Sequence, residues 1–194
     1  MKQVTHDAIV EAGEALFAER GLGGLRVEAI AGRAGVAVGT LYNYFEDHRA
    51  LRDAVLDASA RRLSARLMEG LFPATAGVAR QLERLLANAL EVMGSGLRPD
   101  ALAFAHEGEG RPAGSKGTLF FRAVFRVAEQ VLGEAVQAGA LRAEDASLYP
   151  ALLVGMLRGV LAHDLGEKAA RPLSACVSPM ARFFLEGAAV GGRP

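Results

Sequence analysis

Apolar residues recur along most of this chain at intervals of three and four, and strict alternation does not persist over any strand-length run. That spacing collects them on one stripe of a helix, so an all-α fold of about nine helices is expected. A first helix over Thr5–Arg20 carries Ile9, Ala12, Ala15 and Leu16 on or beside one stripe, with Glu11, Glu14 and Glu19 outside it. Gly21-Leu22-Gly23-Gly24 ends it, because glycine adopts the left-handed backbone of a helix C-cap without steric cost. Two short helices are predicted at Val27–Ala34 and Val38–Tyr44, then a longer one that starts near Asp47 as N-cap and runs to Met68. Beyond Pro73 come Val78–Met93, Asp100–Glu107, Thr118–Ala138, Ala146–Leu165 and Leu173–Ala188, with Gly-, Pro- and Ser-bearing breaks such as Gly94-Ser95-Gly96 between them. Two domains are expected, a head over residues 1–46 and a larger helical body over 47–194.

The informative stretch runs from Ile30 to Phe45. Its two helices are too short to be stable alone and are joined by a tight turn. Ala31 is small where the second helix must come close, and Gly35 supplies the positive φ that turns the chain. Ile30, Ala34, Val36 and Leu41 fall where the pair faces a shared core. This is the requirement of a helix-turn-helix, whose second helix lies in the major groove of double-stranded DNA. Val38, Gly39 and Thr40 open that helix, and the glycine lets the backbone approach DNA. Tyr42 reaches a phosphate through its hydroxyl, and Asn43 and Tyr44 meet base edges or sugar. Leu41 and Phe45, four apart, define the buried face.

On these residues the chain resembles the tetracycline-repressor (TetR) family over Thr5 to Leu56. The matching features are Phe17 with the Gly21 turn, the run Ile30-Ala31…Ala34-Gly35-Val36, and Gly39-Thr40-Leu41-Tyr42-Asn43-Tyr44-Phe45 followed by Leu51. The resemblance implies a three-helix DNA-binding head, a body that dimerises and binds a ligand, and repression relieved by a small molecule. Two positions depart from the pattern. Where the family commonly has a Thr that caps the second helix and touches a phosphate, this chain has Val27; where it commonly has a Lys on the DNA backbone, this chain has His48. Loss of one ionic phosphate contact lowers the salt slope by roughly 0.9 per half-site. Arg26 and Arg49 are the candidate substitutes.

Charge does not support the reading. The 194-residue chain has a formal net charge of zero, and its first fifty residues carry five Lys or Arg against seven Asp or Glu. A DNA-binding surface must therefore come from where charges sit. The single cysteine, Cys176, excludes an internal disulfide and a cysteine-rich zinc module. Met1–Asp7 lacks the apolar core of a signal peptide, and the apolar stretch Ala151–Leu157 is far too short for a membrane span, so a cytoplasmic protein is expected.

In the body, Leu148, Leu152, Gly155, Met156, Gly159, Val160 and His163 form one helical stripe, and Met180, Phe183, Phe184 and Gly187 recur on the final helix. The resemblance implies that these two helices pack against their copies in a homodimer; an intrachain core is the alternative. Two-fold symmetry makes the operator a pseudo-palindrome. A pocket for an unidentified inducer is sought among Met93, Leu97, Phe104, Phe120, Phe121, Phe125 and Met156, with His106, Glu107 and Glu109 as polar candidates; such a lining suits an apolar or amphipathic ligand. No cofactor or metal is expected. An enzyme would need His106, Glu109, His163 and Asp164 as metal ligands, but no Glu-x-x-His pair is present. Gly114-Ser115-Lys116 lacks the order of a phosphate loop. A helical adaptor that kept the head but no longer binds DNA is the remaining rival, favoured by the acidic balance, Val27 and His48.

Overall fold

The computed structural model describes residues 2–71, 77–94, 114–166 and 172–188. Among them lie eight α-helices and no strand: α1 Lys2–Arg20, α2 Val27–Ala34, α3 Val38–Leu41, α4 His48–Met68, α5 Val78–Val92, α6 Lys116–Gln137, α7 Tyr149–Gly166 and α8 Val177–Ala188. The helix expected over 100–107, and with it Leu97, Phe104, His106, Glu107 and Glu109, lies outside the described residues.

Helices α1 to α3 and the first half of α4 enclose one core, built on Ile9, Leu16, Phe17, Ile30, Leu41, Phe45, Leu51 and Val55. Two glycines set its close approaches. A Cβ on Gly13 would stand 2.4 Å from Val55 Cγ2, so α4 lies almost against the α1 backbone there. A Cβ on Gly24 would stand 2.5 Å from the Leu16 carbonyl oxygen, which a backbone cannot yield. The short 3-10 turn Gly21–Gly24 therefore folds back under the end of α1.

The second core is made by α5, α6, α7 and α8. Leu82, Leu85, Leu86 and Ala89 of α5 meet Phe120, Val124, Val127 and Val131 of α6, Leu153, Leu157 and Leu161 of α7, and Met180 and Phe184 of α8. Helix α4 belongs to both cores: Leu51 and Val55 near its start are in the first, and Leu67 near its end is in the second. Its 21 residues span about 30 Å. The carbonyls that α4 leaves unpaired at its end accept hydrogen bonds from α5, with Asn88 Nδ2 donating to Leu67 O (2.9 Å) and Glu69 O (2.8 Å) and Arg84 Nε to Glu69 O (3.2 Å). The first core thus takes Leu51 and Val55 from beyond residue 46 and Leu119 from α6.

Two ends differ from the sequence reading. Residues 144–148 form turns, so α7 starts at Tyr149 with Pro150 in its first turn, where a missing N–H costs nothing. The final segment opens as a 3-10 turn, Leu173–Cys176, and becomes α-helical at Val177. On α8, Met180, Ala181, Phe184 and Ala188 make one inward face. Met180 and Phe184, expected at a dimer surface, are therefore corrected to this chain's own core, while Phe183, about 100° round the helix from Phe184, points outward and is 72% exposed.

Candidate nucleic-acid interface

The turn between α2 and α3 is made by Gly35 at φ 69°, ψ 30°, whose N–H bonds back to Ala31 O and Gly32 O while Val36 N donates to Ala31 O at 3.0 Å. A side chain at that φ is strained, so glycine fixes the angle between the two helices. From there Ala37 is extended and α3 begins at Val38. The helix proper ends at Leu41 rather than Tyr44, because the next amides bond three residues back: Asn43 N to Thr40 O at 3.2 Å and Tyr44 N to Leu41 O at 3.0 Å. This tightened turn brings Phe45 under Leu41, and both are buried.

The same geometry sorts the remaining side chains. Val38, Gly39, Tyr42 and Asn43 are exposed, with Thr40 half-covered. Tyr44 is half-buried beside the His6 ring, which stacks on Phe45 at 5.1 Å and meets Tyr44 edge-on at 6.4 Å. No local pattern announces that contact, because His6 stands almost forty positions away in sequence. The exposed strip is thus presented by a buried Leu41–Phe45 pair, with α3 carried on the outside of the head.

At the rim, Asp47 caps α4 by accepting from Ala50 N at 2.7 Å. His48 Nε2 donates to the Leu25 carbonyl at 2.7 Å. The imidazole therefore ties the first turn of α4 to the residue before Arg26. Arg26 itself takes the N-cap position of α2 without a side-chain cap, is exposed, and has no ion-pair partner among the described residues. Val27 leans on the head core instead of capping. Arg49 is exposed and lies 3.6 Å from Asp53.

The acidic balance looks different in three dimensions. Glu14, only 8% exposed, is held by Arg62 of α4 at 2.9 Å, and Glu19 by Arg33 at 2.6 Å. Asp47 spends an oxygen on its helix cap. Several acids of the head are thus turned away from α3 or balanced by arginines, one of which lies outside the first fifty residues.

In the body, Leu152 (54% exposed), Gly155, Gly159 and His163 lie on the open side of α7, with Leu148 exposed in the turn just before it and Met156 and Val160 half-buried beside them. Met93 and Phe121 lie in the close-packed second core, Met156 rests against it, and Phe125 is at the surface. The Arg158 guanidinium covers the Phe121 ring at 5.8 Å. Among the described residues no group of three or more His, Cys, Asp or Glu is arranged to hold a metal ion, and no helix is long and apolar enough to cross a membrane.

Residues 9–55 match the family model for bacterial regulatory proteins of the tetR family. Two curated proteins from strains of Mycobacterium tuberculosis, both described as uncharacterized HTH-type transcriptional regulators, are 35% identical over 86 residues. That match covers 44% of this chain and 41% of each relative. A solved TetR-family regulator from Vibrio parahaemolyticus superposes with a TM-score of 0.66 at 20% identity, covering 96% of this chain and 99% of that one. The regulator FadR from Bacillus subtilis, solved in complex with stearoyl-CoA, gives a TM-score of 0.61 at 17% identity over 96% and 98% of the two chains. At such identities the likeness is one of fold, and in both cases it covers 96% of this chain.

Proposed function

We propose that this chain is a member of the tetR family of bacterial regulatory proteins, whose model its residues 9–55 match, and that it is a sequence-specific DNA-binding transcriptional regulator acting in the cytoplasm. It is a repressor, released from a pseudo-palindromic operator by a small apolar or amphipathic ligand. The observation that carries this reading is the exposed strip Val38, Gly39, Tyr42 and Asn43, held outward by a buried Leu41 and set at a fixed angle by Gly35. Polar side chains and an open glycine backbone on a rigid, convex helix are what major-groove readout requires. Arg26 and Arg49 supply phosphate contacts at the rim, and His48 acts by positioning. That a body of this fold takes an amphipathic ligand is supported by the stearoyl-CoA complex of the Bacillus subtilis regulator.

Operator selection tests the reading. Purified chain is incubated with a random DNA pool at low and at physiological salt, and bound DNA is sequenced. A palindrome with half-sites one helical turn or a multiple of it apart is expected. Failure to enrich any palindrome at low salt would leave the adaptor reading in its place.

A homodimer places one recognition helix on each half-site. Its support is exposed apolar surface among the described residues, at Leu148 just before α7, Leu152 on α7 and Phe183 on α8. The double substitution Leu152→Glu, Phe183→Glu buries two carboxylates in such an interface. It should convert a dimer to a monomer in light scattering and weaken operator binding at least tenfold, since each half-site then binds alone. A dimer that persists in the double variant would locate the interface elsewhere.

A further inference from the structure

A cleft of about 460 Å³ opens between α4 and the start of α6, where the two cores meet. Its floor includes Leu22, Leu56 and Leu119, and its walls carry Arg52 from α4 and Arg122 and Arg126 from α6. Its volume falls within the roughly 300–1,000 Å³ of small-molecule sites. Gly114 closes one end: a Cβ there would stand 2.8 Å from Leu56 and 3.2 Å from Leu22.

The charges in this cleft do not balance. Arg33, Arg62, Arg142 and Arg182 each sit on a carboxylate. Arg122 and Arg126 meet none among the described residues, although they stand one turn apart on the same helix, a spacing at which like charges repel. Arg52 faces the same space. The lining carries three arginines against two aspartates: Asp53 is shared by Arg49 and Arg52, and Asp57 makes no ion pair among the described residues, so a net positive charge remains with Arg122 and Arg126 uncommitted. Three guanidinium groups around an apolar floor match an anion with an apolar body, since the planar fork pairs with a carboxylate or phosphate and stacks on aromatic faces.

We infer that this cleft binds a compact amphipathic anion, an aromatic or branched carboxylate or phosphate monoester, through Arg122, Arg126 and Arg52. The position gives the ligand a purchase on both cores. α6 is tied to the head by Lys116 Nζ, which donates to Ala18 O at 2.8 Å, and by Leu119 in the head core. A ligand spanning α4 and α6 therefore sets the distance between them, and with it the placement of α3. That last step rests on the regulator reading; the binding itself does not.

The test uses the full chain with 2-naphthoate, 2-naphthyl phosphate and the neutral 2-naphthamide, read by naphthyl fluorescence, which no tryptophan in the chain obscures. At least one anion is expected to bind tenfold or more tightly than the amide, and to lose tenfold or more in Arg122→Gln, Arg126→Gln. Preference between the two anions separates a carboxylate site from a phosphate site. Both arginines are exposed, so the double variant should keep the parent melting temperature. Equal binding of amide and anions, anion binding unchanged in the double variant, or no binding at all would overturn the site. Bound anion that leaves affinity for a selected operator unchanged would overturn its effector role, and a chain that selects no operator would remove the regulator reading while the binding result stands.

Discussion

Replacing Tyr42 and Asn43 together with alanine is expected to weaken operator binding by about 2–4 kcal/mol, roughly 30- to 900-fold, and to leave the melting temperature where it was. The two side chains stand on the outer face of the recognition turn, Tyr42 at 52% exposure, and neither makes a hydrogen bond to the rest of the described chain. Their removal costs the fold nothing and costs the complex every contact they make to phosphate, sugar or base. Fluorescence anisotropy on a selected operator, beside circular-dichroism melting, gives both numbers from one preparation. An affinity within threefold of the parent at matched salt would show that this strip does not read DNA.

One residue earlier the outcome inverts. Leu41 is 1% exposed, and alanine in its place should cost about 2–5 kcal/mol of stability through lost burial and the cavity left behind. The loss falls on a helix of four residues that has no stability of its own. Residues 27–45 should therefore lose amide-exchange protection before the body does, and operator affinity should fall with it. Urea unfolding and hydrogen exchange measure the two effects. A variant within about 1 kcal/mol of the parent would mean that Leu41 does not anchor α3.

The opposite burial of Leu41 and Tyr42, one residue apart, was legible in the sequence. Leu41 and Phe45 at a spacing of four, Gly35 at the turn and Ala31 before it fixed which side of α3 faces inward, and α2 spans the predicted Val27–Ala34. The start of α4 was readable too, because the Asp47 cap is a local event. Contacts made across the chain were not readable. The His48–Leu25 tie, the His6–Phe45 stack and the Lys116–Ala18 bond each join positions far apart in sequence. In the body, a stripe of apolar residues does not say which of two apolar faces a helix turns inward. On α8 the answer separated Phe183 from Phe184. For a related reason apolar spacing does not distinguish a pocket lining from close packing: Met93 and Phe121 fill core space, while the cleft beside α4 carries arginines as well as leucines.

The head core completes itself with material from beyond it, namely Arg62 on Glu14, Leu119 in the cluster and Lys116 on the end of α1. The domain is therefore not a transplantable cassette. A fragment cut after residue 56 would expose the seat of Leu119 and leave a buried carboxylate without its cation. A chimera that grafts this head onto another body would inherit both defects unless the new body brings its own arginine and leucine to those places.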